Sequence, residues 1–316
     1  MYDYVHTEDG KKDFVRELTR KCFVNGIRIK NVQHLSKKNG RNAIVFQART
    51  VGRSCVAAKK VVPVLTEVLR SGYYPDDSNR RIINEEYHQY IFIQEDRFKL
   101  LSGVARMNKG KSHFNGDNFL ISRLECGKAI AAIADGMGSG KRAYIESRMV
   151  IELMENCIDA GFDEKASIDL INSAYIAGGG TGNPVTMDMS VIDCQSGYMH
   201  CMKLGAVSTF IRRDKWVEII QSTTLPMGVL EQVDYDCTTK KLYDGDYIVM
   251  VSDGVLDNIP CVNKEERMAQ MIHALTIREP SAMAEKLLEQ SLAYNDMKAS
   301  DDCTVLVLGL FDTYEK

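Results

Sequence analysis

Hydrophobic positions in the first hundred residues alternate between helical and strand-like spacing. Phe14, Leu18 and Cys22 recur at four-residue intervals, which predicts a helix. The predicted elements are, in order, a helix at 11–25, strands at 27–32 and 43–50, a helix at 61–69 and a strand at 87–93. We therefore expect a small α/β domain over 1–98, with a regulatory or dimerisation role because it contains no catalytic spacing.

From Lys99 onward the pattern changes to many short strands separated by glycines. One amphipathic helix is predicted at 143–160, and a second begins at Asp163, a favourable N-cap residue. The glycine-rich run 178–183 predicts a loop. Predicted strands cover 101–105, 119–123, 129–134, 186–193, 199–204, 209–212, 216–220, 247–251 and 304–310, and further helices cover 263–277 and 281–293. Strands and helices come in blocks, which predicts one layered antiparallel α+β domain over 99–316.

Composition agrees with a folded chain of two domains. The chain has 316 residues, of which 45% are hydrophobic and 26% are charged, so a mainly disordered protein is excluded. The 40 basic and 43 acidic side chains nearly balance. Nucleic-acid-binding domains usually carry a basic surplus, so we expect no nucleic-acid partner.

The hydrophobic runs of the chain bear on its location. No run approaches the ~18 apolar residues of a membrane helix. The first residues lack the apolar centre of a signal peptide. None of the nine cysteines forms a C-x-x-C pair, which favours reduced thiols over a zinc site or a disulfide framework. The sequence therefore predicts a cytoplasmic location.

Acidic residues recur at the ends of predicted strands in the second domain. They are Asp117, Asp135, Asp253 and the adjacent pair Asp301 and Asp302. A single Asp beside a Gly is typical of an ordinary turn. Apolar strands that repeatedly deliver an Asp at their ends indicate instead one shared site.

Two of these carboxylates are predicted to face each other across a hairpin. With a turn at 125–128, Asp117 lies opposite Gly136 and Asn118 lies opposite Asp135, at the roughly 5 Å spacing of paired strands. Carboxylates held so close repel each other, and a divalent cation relieves that repulsion. Oxygen ligands alone suit Mg²⁺ or Mn²⁺ better than zinc. Gly136 lets the backbone approach such an ion and can offer its carbonyl.

Nucleotide-binding motifs do not account for the glycines after Asp135. A P-loop needs four residues between its first glycine and the Gly-Lys pair, then Ser or Thr. The run 136–141 has three, and Arg142 follows. The dinucleotide motif G-x-G-x-x-G fails as well, because its last position is Lys141.

Four motifs resemble, in their order, those of the metal-dependent PPM (PP2C-like) protein phosphatases. They are Asp135-Gly136-Met137-Gly138, Leu225-Pro226-Met227-Gly228, Val251-Ser252-Asp253-Gly254 and Asp301-Asp302-Cys303-Thr304. A narrower resemblance, to the stage II sporulation protein E family, is carried by three runs. They are Ile133-Ala134-Asp135-Gly136-Met137-Gly138-Ser139-Gly140, Gly161-Phe162-Asp163-Glu164-Lys165-Ala166 and Met187-Asp188-Met189-Ser190-Val191-Ile192-Asp193. The likeness is strong over 99–316 and weaker over 1–98, where it resembles that family's regulatory segment.

The resemblance implies an αββα sandwich, two antiparallel sheets flanked by helices, with two Mn²⁺ or Mg²⁺ ions at one end. Asp135 would bridge both ions and act in catalysis together with Asp253, and Gly136 would lend its carbonyl. Asp117, Asp253 and Asp301 would complete the ligand set, with Asp302 as the less favoured member of its pair.

Two departures from the phosphatase pattern bear on mechanism. Many PPM enzymes have His after Asp-Gly, whereas this chain has Met137, which cannot donate a proton. Arg106 is the candidate phosphate-binding arginine, although an ordinary surface position on a strand is the simpler interpretation. The membrane-spanning N-terminal region usual in the narrower family is absent, so the chain is either a fragment or a soluble relative.

By resemblance, the expected function is a protein serine phosphatase. Its substrate would be a phosphorylated anti-anti-sigma factor, whose dephosphorylation activates a sporulation sigma factor. Assembly into a homodimer or a higher oligomer is compatible with this expectation. Membrane attachment is expected only through a segment absent from this chain. Two alternatives stay open: a two-metal hydrolase of small phosphoesters, and a pseudophosphatase scaffold. The helices that follow Asp135 are expected either to transmit the state of the first domain to the metal site or simply to cover a sheet.

Overall fold

The computed structural model describes residues 4–5, 11–37, 41–110, 113–124, 126–138, 140–177, 183–232 and 234–313. The predicted loop at 178–183 lies outside these residues except for Asn183. The chain divides into two compact units. The first comprises residues 1–97 together with the short segment 125–127, and the second comprises residues 98–124 and 128–316.

The first unit contains an antiparallel sheet with two helices. Its strands are β1 (Tyr4–Val5), β2 (Ile27–Lys37), β3 (Ala43–Thr50), β4 (Val56–Ala57), β5 (Tyr73–Pro75), β6 (Ile82–Ile83) and β7 (His88–Gln94), and its helices are α1 (Lys11–Val24) and α2 (Val62–Leu69), the latter preceded by a 3₁₀ turn at Ala58–Val61. The five-stranded sheet has the order β1-β2-β3-β7-β5, and β4 pairs with β6.

One face of this sheet packs on the helices. Alternate residues of β2 and β3, such as Ile29 and Phe46, are buried with Leu18 of α1 and Leu65 of α2. Strand residues alternate between the two faces of a sheet, so the intervening residues of β2 and β3 stand on the other face. The predicted helices and strands of this unit are confirmed, while the short strands β1, β4, β5 and β6 were not predicted.

The second unit contains ten strands and five α-helices among the described residues. The strands are β8 (Phe98–Met107), β9 (Asp117–Arg123), β10 (Lys128–Gly136), β11 (Val185–Asp193), β12 (Tyr198–Leu204), β13 (Thr209–Arg212), β14 (Val217–Ile220), β15 (Asp236–Lys241), β16 (Tyr247–Val251) and β17 (Cys303–Asp312). The helices are α3 (Lys141–Asp159), α4 (Glu164–Ala177), α5 (Asp253–Asp257), α6 (Lys264–Ala274) and α7 (Pro280–Leu292), the last followed by a 3₁₀ turn at Ala293–Asn295.

Two antiparallel sheets stack in this unit. Their strand orders are β15-β12-β11-β10-β9 and β14-β13-β16-β17-β8. Ile133 and Met199 of one sheet pack against Ile248 and Leu306 of the other to form the central core. Strands β16 and β17 are buried on both faces, because their outer residues, such as Val249, pack under α5, α6 and α7. Their sequences are therefore continuous hydrophobic runs.

Helix α3 packs on β9 and β10, on the outside of the first of these two sheets. Helices therefore cover both outer faces of the sandwich. The predicted αββα architecture is confirmed.

Candidate active site

The β9–β10 hairpin places two carboxylates side by side. Asp117 lies directly opposite Asp135 in the strand register. The predicted register, with Asn118 opposite Asp135, was wrong by one residue. The reason is the turn: Leu124 N–H donates to Lys128 O at 2.9 Å, so Lys128 belongs to the strand and the connection is one residue shorter than predicted. The correction brings the two aspartates closer than the sequence interpretation had them.

The second sheet brings the other acidic residues to the same site. Asp253 begins α5 directly after β16, and Asp301 and Asp302 directly precede β17. Ser252 N–H donates to Thr304 O at 3.0 Å, and Thr304 N–H donates to Ser252 Oγ at 2.9 Å. These two bonds tie the ends of β16 and β17 together and fix the positions from which the carboxylates project.

The glycines that follow Asp135 and Asp253 have a packing role. A Cβ on Gly136 would lie 2.4 Å from the carbonyl oxygen of Ala143 in α3. A Cβ on Gly254 would lie 2.2 Å from the carbonyl oxygen of Asp302. Only glycine allows these approaches, so the Asp-Gly pairs arise from close packing around the site as well as from turn formation.

Asp301 and Asp302 have different environments. Asp302 is 3% exposed, and its two oxygens accept N–H bonds from Gly116 at 2.7 Å and from Lys109 at 2.8 Å. It therefore holds the loop between β8 and β9. The Asp301 side chain is 42% exposed, with Lys109 Nζ 3.5 Å from its Oδ1. Asp301 Oδ1 also accepts the N–H of Asp302 at 2.9 Å, but Asp301 is the accessible member of the pair and is therefore the better placed to reach a ligand.

Burial and mutual repulsion perturb the central carboxylates. Burial, together with the negative charges of Asp253 and Asp302, raises the pKa of Asp117 to about 7. Burial, together with the charges of Asp117 and Asp253, raises the pKa of Asp135 to about 9. Burial also raises the pKa of Asp253, with contributions from Asp257 and Asp301. Without a cation, the cluster resists full ionisation at neutral pH.

The donor chemistry of this cluster fits a hard divalent cation. Asp117 is fully buried, and neither of its carboxylate oxygens has a partner within hydrogen-bonding geometry, although the hydroxyls of Ser252 and Thr304 lie near enough to oppose the rise in its pKa. The neighbouring aspartates supply oxygen, the ligand atom that Mg²⁺ and Mn²⁺ prefer. Within the described part of the chain, no three His, Cys, Asp or Glu side chains stand together as a formed metal-holding group. The aspartates are neighbours whose side chains would still have to converge on an ion.

Arg106 lies at the edge of the cluster. It stands opposite Thr304 in the β8–β17 ladder, and its guanidinium donates to the carbonyl oxygen of Asp117. The guanidinium carbon also lies 5.5 Å from the centroid of the Phe119 ring. Arg106 is exposed, as the simpler interpretation held, but it is exposed beside the carboxylates.

Sequence reasoning missed the residues that organise the loop between β8 and β9. Asn115 is buried, and its Oδ1 accepts the N–H of Asp117 at 3.0 Å. Lys109 contributes its N–H and its ammonium group to the two aspartates that precede β17. The only sequence signal was the Asn-Gly-Asp-Asn turn signature, which marks a loop without indicating its contacts.

Met137 borders the site. Its side chain is 56% exposed, and its N–H donates to Pro184 O at 3.1 Å. A thioether supplies no proton. The position after Asp135-Gly136 is therefore occupied by a group without acid–base function.

Comparison with solved structures assigns the class. The chain matches the structure of the PP2C phosphatase domain and a fragment of the regulatory domain of SpoIIE from Bacillus subtilis, with a TM-score of 0.73 and 27% identity over 95% of this chain and 91% of that one. A crystal structure of RsbX in complex with magnesium matches in fold, with a TM-score of 0.53 and 20% identity over 68% of this chain and 97% of that one. The second unit has the fold of the PP2C class of phosphatase domains.

Sequence comparisons then define the family. The family model for stage II sporulation protein E (SpoIIE) matches residues 126–311. Stage II sporulation protein E of Bacillus subtilis strain 168 is 29% identical over 286 residues, and that of Priestia megaterium is 30% identical over 253. These matches cover 90% and 80% of this chain. The chain belongs to the stage II sporulation protein E family, as its motifs predicted.

The chain spans only part of these two relatives. The matches cover 34% of the Bacillus subtilis protein and 43% of the Priestia megaterium protein. In the described residues, no helix is both long and apolar enough to cross a bilayer.

Proposed function

We propose that the second unit is a Mn²⁺- or Mg²⁺-dependent phosphatase that removes phosphate from serine in a protein substrate. The observation that carries the proposal is the pair Asp117 and Asp135, directly opposed in the hairpin, with both oxygens of Asp117 buried and unsatisfied. Buried carboxylates without partners destabilise a fold unless a ligand compensates for them. A fold that retains carboxylates at this cost in folding free energy indicates that they serve a function.

The positions of the aspartates suggest the role of each. Asp135 has both Asp117 and Asp253 as charged neighbours, so it is suited to bridge two ions. Gly136 would lend its carbonyl, and Asp301 is more accessible than the buried Asp302. When bound, the ions would activate water and neutralise phosphate charge.

Arg106 is suited to orient the phosphate group. Its contact with the Asp117 carbonyl holds the guanidinium beside the carboxylates. A guanidinium can donate two parallel bonds to phosphate oxygens. Met137 supplies no proton, so protonation of the leaving serine oxygen must come from another donor, such as solvent.

Family membership supports an anti-anti-sigma factor phosphorylated on serine as the substrate, and activation of a sporulation sigma factor as the consequence. Dimerisation, a cytoplasmic location and membrane attachment through a segment outside this chain belong to the same proposal. Each would apply to the whole protein, of which this chain represents the portion matched above.

The test compares two substrates under three metal conditions. Phosphate release is measured from a serine-phosphorylated anti-anti-sigma protein and from p-nitrophenyl phosphate, with Mn²⁺, with Mg²⁺ or with EDTA. The proposal expects metal-dependent release with strong preference for the phosphoprotein. Preference for the small ester would favour the small-phosphoester hydrolase, and no release by folded, metal-binding protein would favour the scaffold.

A further inference from the structure

Positive charge is concentrated in one part of the chain. Residues 18–66 contain no Asp or Glu but eleven Lys and Arg. Residues 1–97 hold 18 basic and 12 acidic side chains, whereas the whole chain has 40 and 43. The first unit therefore carries a positive surplus within an acidic protein. Such asymmetry indicates an anionic partner for the basic part.

The sheet of the first unit collects three of these cations on one face. Because Ile29 and Phe46 point into the core, Arg28 and Lys30 of β2 and Arg49 of β3 stand on the opposite face. Arg28 lies directly opposite Arg49 in the register. Like charges placed directly across a strand pair destabilise it. The arrangement therefore does not serve the stability of the sheet.

A tyrosine lies between two of these cations. The Nζ of Lys30 lies 4.1 Å from the centroid of the Tyr87 ring, and the guanidinium carbon of Arg49 lies 5.2 Å from it. The ring positions both cations without neutralising them. The Nε of Arg49 is buried and has no hydrogen-bond partner. In the described part of the chain, Arg28, Lys30 and Arg49 form no ion pair with a carboxylate.

A groove beside α1 meets the edge of this face at Arg28. Arg28 also lines an open groove of about 550 Å³ together with Arg16, Arg20 and Phe23 of α1. Phe23 is 52% exposed, and its ring centroid lies 5.8 Å from the Arg28 guanidinium carbon. An exposed aromatic ring beside arginines suits a ligand with both charged and apolar parts.

We propose that the sheet face carrying Arg28, Lys30 and Arg49, called here the cationic face, binds a phosphate group. The phosphate is carried by an anionic lipid headgroup or by a soluble phosphate ester. Guanidinium groups match phosphate oxygens through paired N–H bonds, and a lysine adds a point charge. One phosphate group offers enough acceptor oxygens for donors on two neighbouring strands. This inference concerns the first unit and does not depend on the proposed phosphatase activity.

The test uses the full chain in EDTA, so that phosphate binding with metal at the aspartate cluster does not contribute. One arm measures flotation with vesicles of phosphatidylglycerol mixed into phosphatidylcholine, against phosphatidylcholine alone. The other arm measures binding of inorganic phosphate by calorimetry. The test variant is Arg28→Ala with Lys30→Ala. The matched control is Lys59→Ala with Lys60→Ala, which removes the same charge from exposed positions in the same acid-free segment.

Wild-type protein is expected to bind at least one probe. The cationic-face variant should bind roughly tenfold more weakly or worse, because it removes two of the three cations that would donate to the phosphate oxygens. The control variant should stay close to wild type. Binding to anionic vesicles alone assigns the site to a headgroup, and binding of inorganic phosphate assigns it to a soluble ester. Binding of neither probe, or equal losses in the two variants, would overturn the proposal.

Discussion

At the scale of residues, the central feature is a carboxylate that the fold holds without a partner. Asp117 is fully buried beside Asp135, and both of its oxygens are unsatisfied. A charge in this position opposes folding unless a cation binds it. The presence of Asp117 at this buried position is therefore explained by cation binding and not by a contribution to the stability of the fold.

Replacing this carboxylate should stabilise the metal-free protein. Burial raises the pKa of Asp117 to about 7, so its ionisation costs stability progressively as the pH rises towards and through that value. We expect Asp117→Asn to raise the free energy of unfolding at pH 8 in EDTA by ~1–3 kcal/mol, with loss of the stabilisation that Mn²⁺ gives the wild type. Chemical denaturation at pH 8 and pH 5 measures both. A destabilised variant that still responds to Mn²⁺ would contradict the assignment.

Arg106 should affect turnover more than stability. Its guanidinium donates to the Asp117 carbonyl and stays exposed beside the cluster. We expect Arg106→Lys, which keeps the charge but loses the planar fork, to lower kcat/KM for the phosphoprotein roughly 10²-fold, as for other charge-stabilising donors. Arg123→Ala is the matched control, since Arg123 is also exposed and also donates to a backbone carbonyl, that of Leu100. Equal activity of the two variants would place Arg106 outside the phosphate site.

The sequence predicted which acidic residues gather but not their pairing. Asp117, Asp135, Asp253 and Asp301 stand at strand ends, where hydrophobic patterning and turn residues can be recognised. The register error arose at the turn, because the spacing of strand residues does not determine which residue closes a hairpin. The bonds that hold Asp302 join it to loop residues distant in sequence, and no local pattern indicates them.

At the scale of elements, a loop after β14 is held by one buried helix residue. Asn172 of α4 is 1% exposed, and its Nδ2 donates to Leu230 O at 3.0 Å and to Glu231 O at 3.2 Å. Its Oδ1 accepts Gly228 N–H at 2.9 Å. The neighbouring residue Met227 pairs through its backbone with Val185, which lies opposite Gly136. Helix α4 is thereby joined to the strand edge that carries the aspartates.

Removing this side chain should loosen the loop. In Asn172→Ala the backbone groups of Gly228, Leu230 and Glu231 lose their partners, at a cost of ~1–3 kcal/mol. Hydrogen exchange is expected to speed up at Gly228 and at the residues after it, while the β10 core stays protected. Ser173→Ala, an exposed change in the same helix, should leave exchange unchanged. Uniformly faster exchange across the sandwich would contradict a local role.

Element prediction succeeded where burial is periodic and failed where it is not. Helices α1, α3 and α7 and the apolar strands β16 and β17 agree with their predicted ranges to within a few residues. β15 was missed because Asp236–Lys241 is mostly polar and carries no hydrophobic alternation. α5 was missed because it has only 5 residues, too few to show a helical period. Strand β15 and helix α5 both depend on contacts with residues distant in sequence, and a local pattern does not indicate such contacts.

At the scale of the whole molecule, the chain has two units with separate cores. Phe46 and Phe92 stack at 5.4 Å within the first, and the sandwich core fills the second. The aspartate cluster belongs only to the second unit. A ligand of that cluster stabilises the unit that binds it.

Metal and core substitutions should therefore act on different unfolding transitions. We expect Mn²⁺ to raise the Tm of the second unit alone. Phe92→Ala should lower the Tm of the first unit alone, since deleting a buried phenyl ring costs about 3–5 kcal/mol. Phe210→Ala, an equivalent change in the core of the second unit, is the matched variant. Calorimetry that shows one transition, shifted as a whole by either change, would contradict independent units.

The most direct measurement of the central claim is Mn²⁺-dependent phosphate release from a serine-phosphorylated anti-anti-sigma protein by wild type, Asp253→Asn and Asp257→Asn. The two substitutions make the same chemical change in α5, but Asp257 pairs with Lys264 at 2.7 Å, whereas Asp253 is a charged neighbour of Asp135. We predict release by wild type and Asp257→Asn, and loss of both release and Mn²⁺ binding in Asp253→Asn. Turnover and Mn²⁺ binding unaffected by Asp253→Asn would contradict the claim that these aspartates form a metal-dependent phosphatase site.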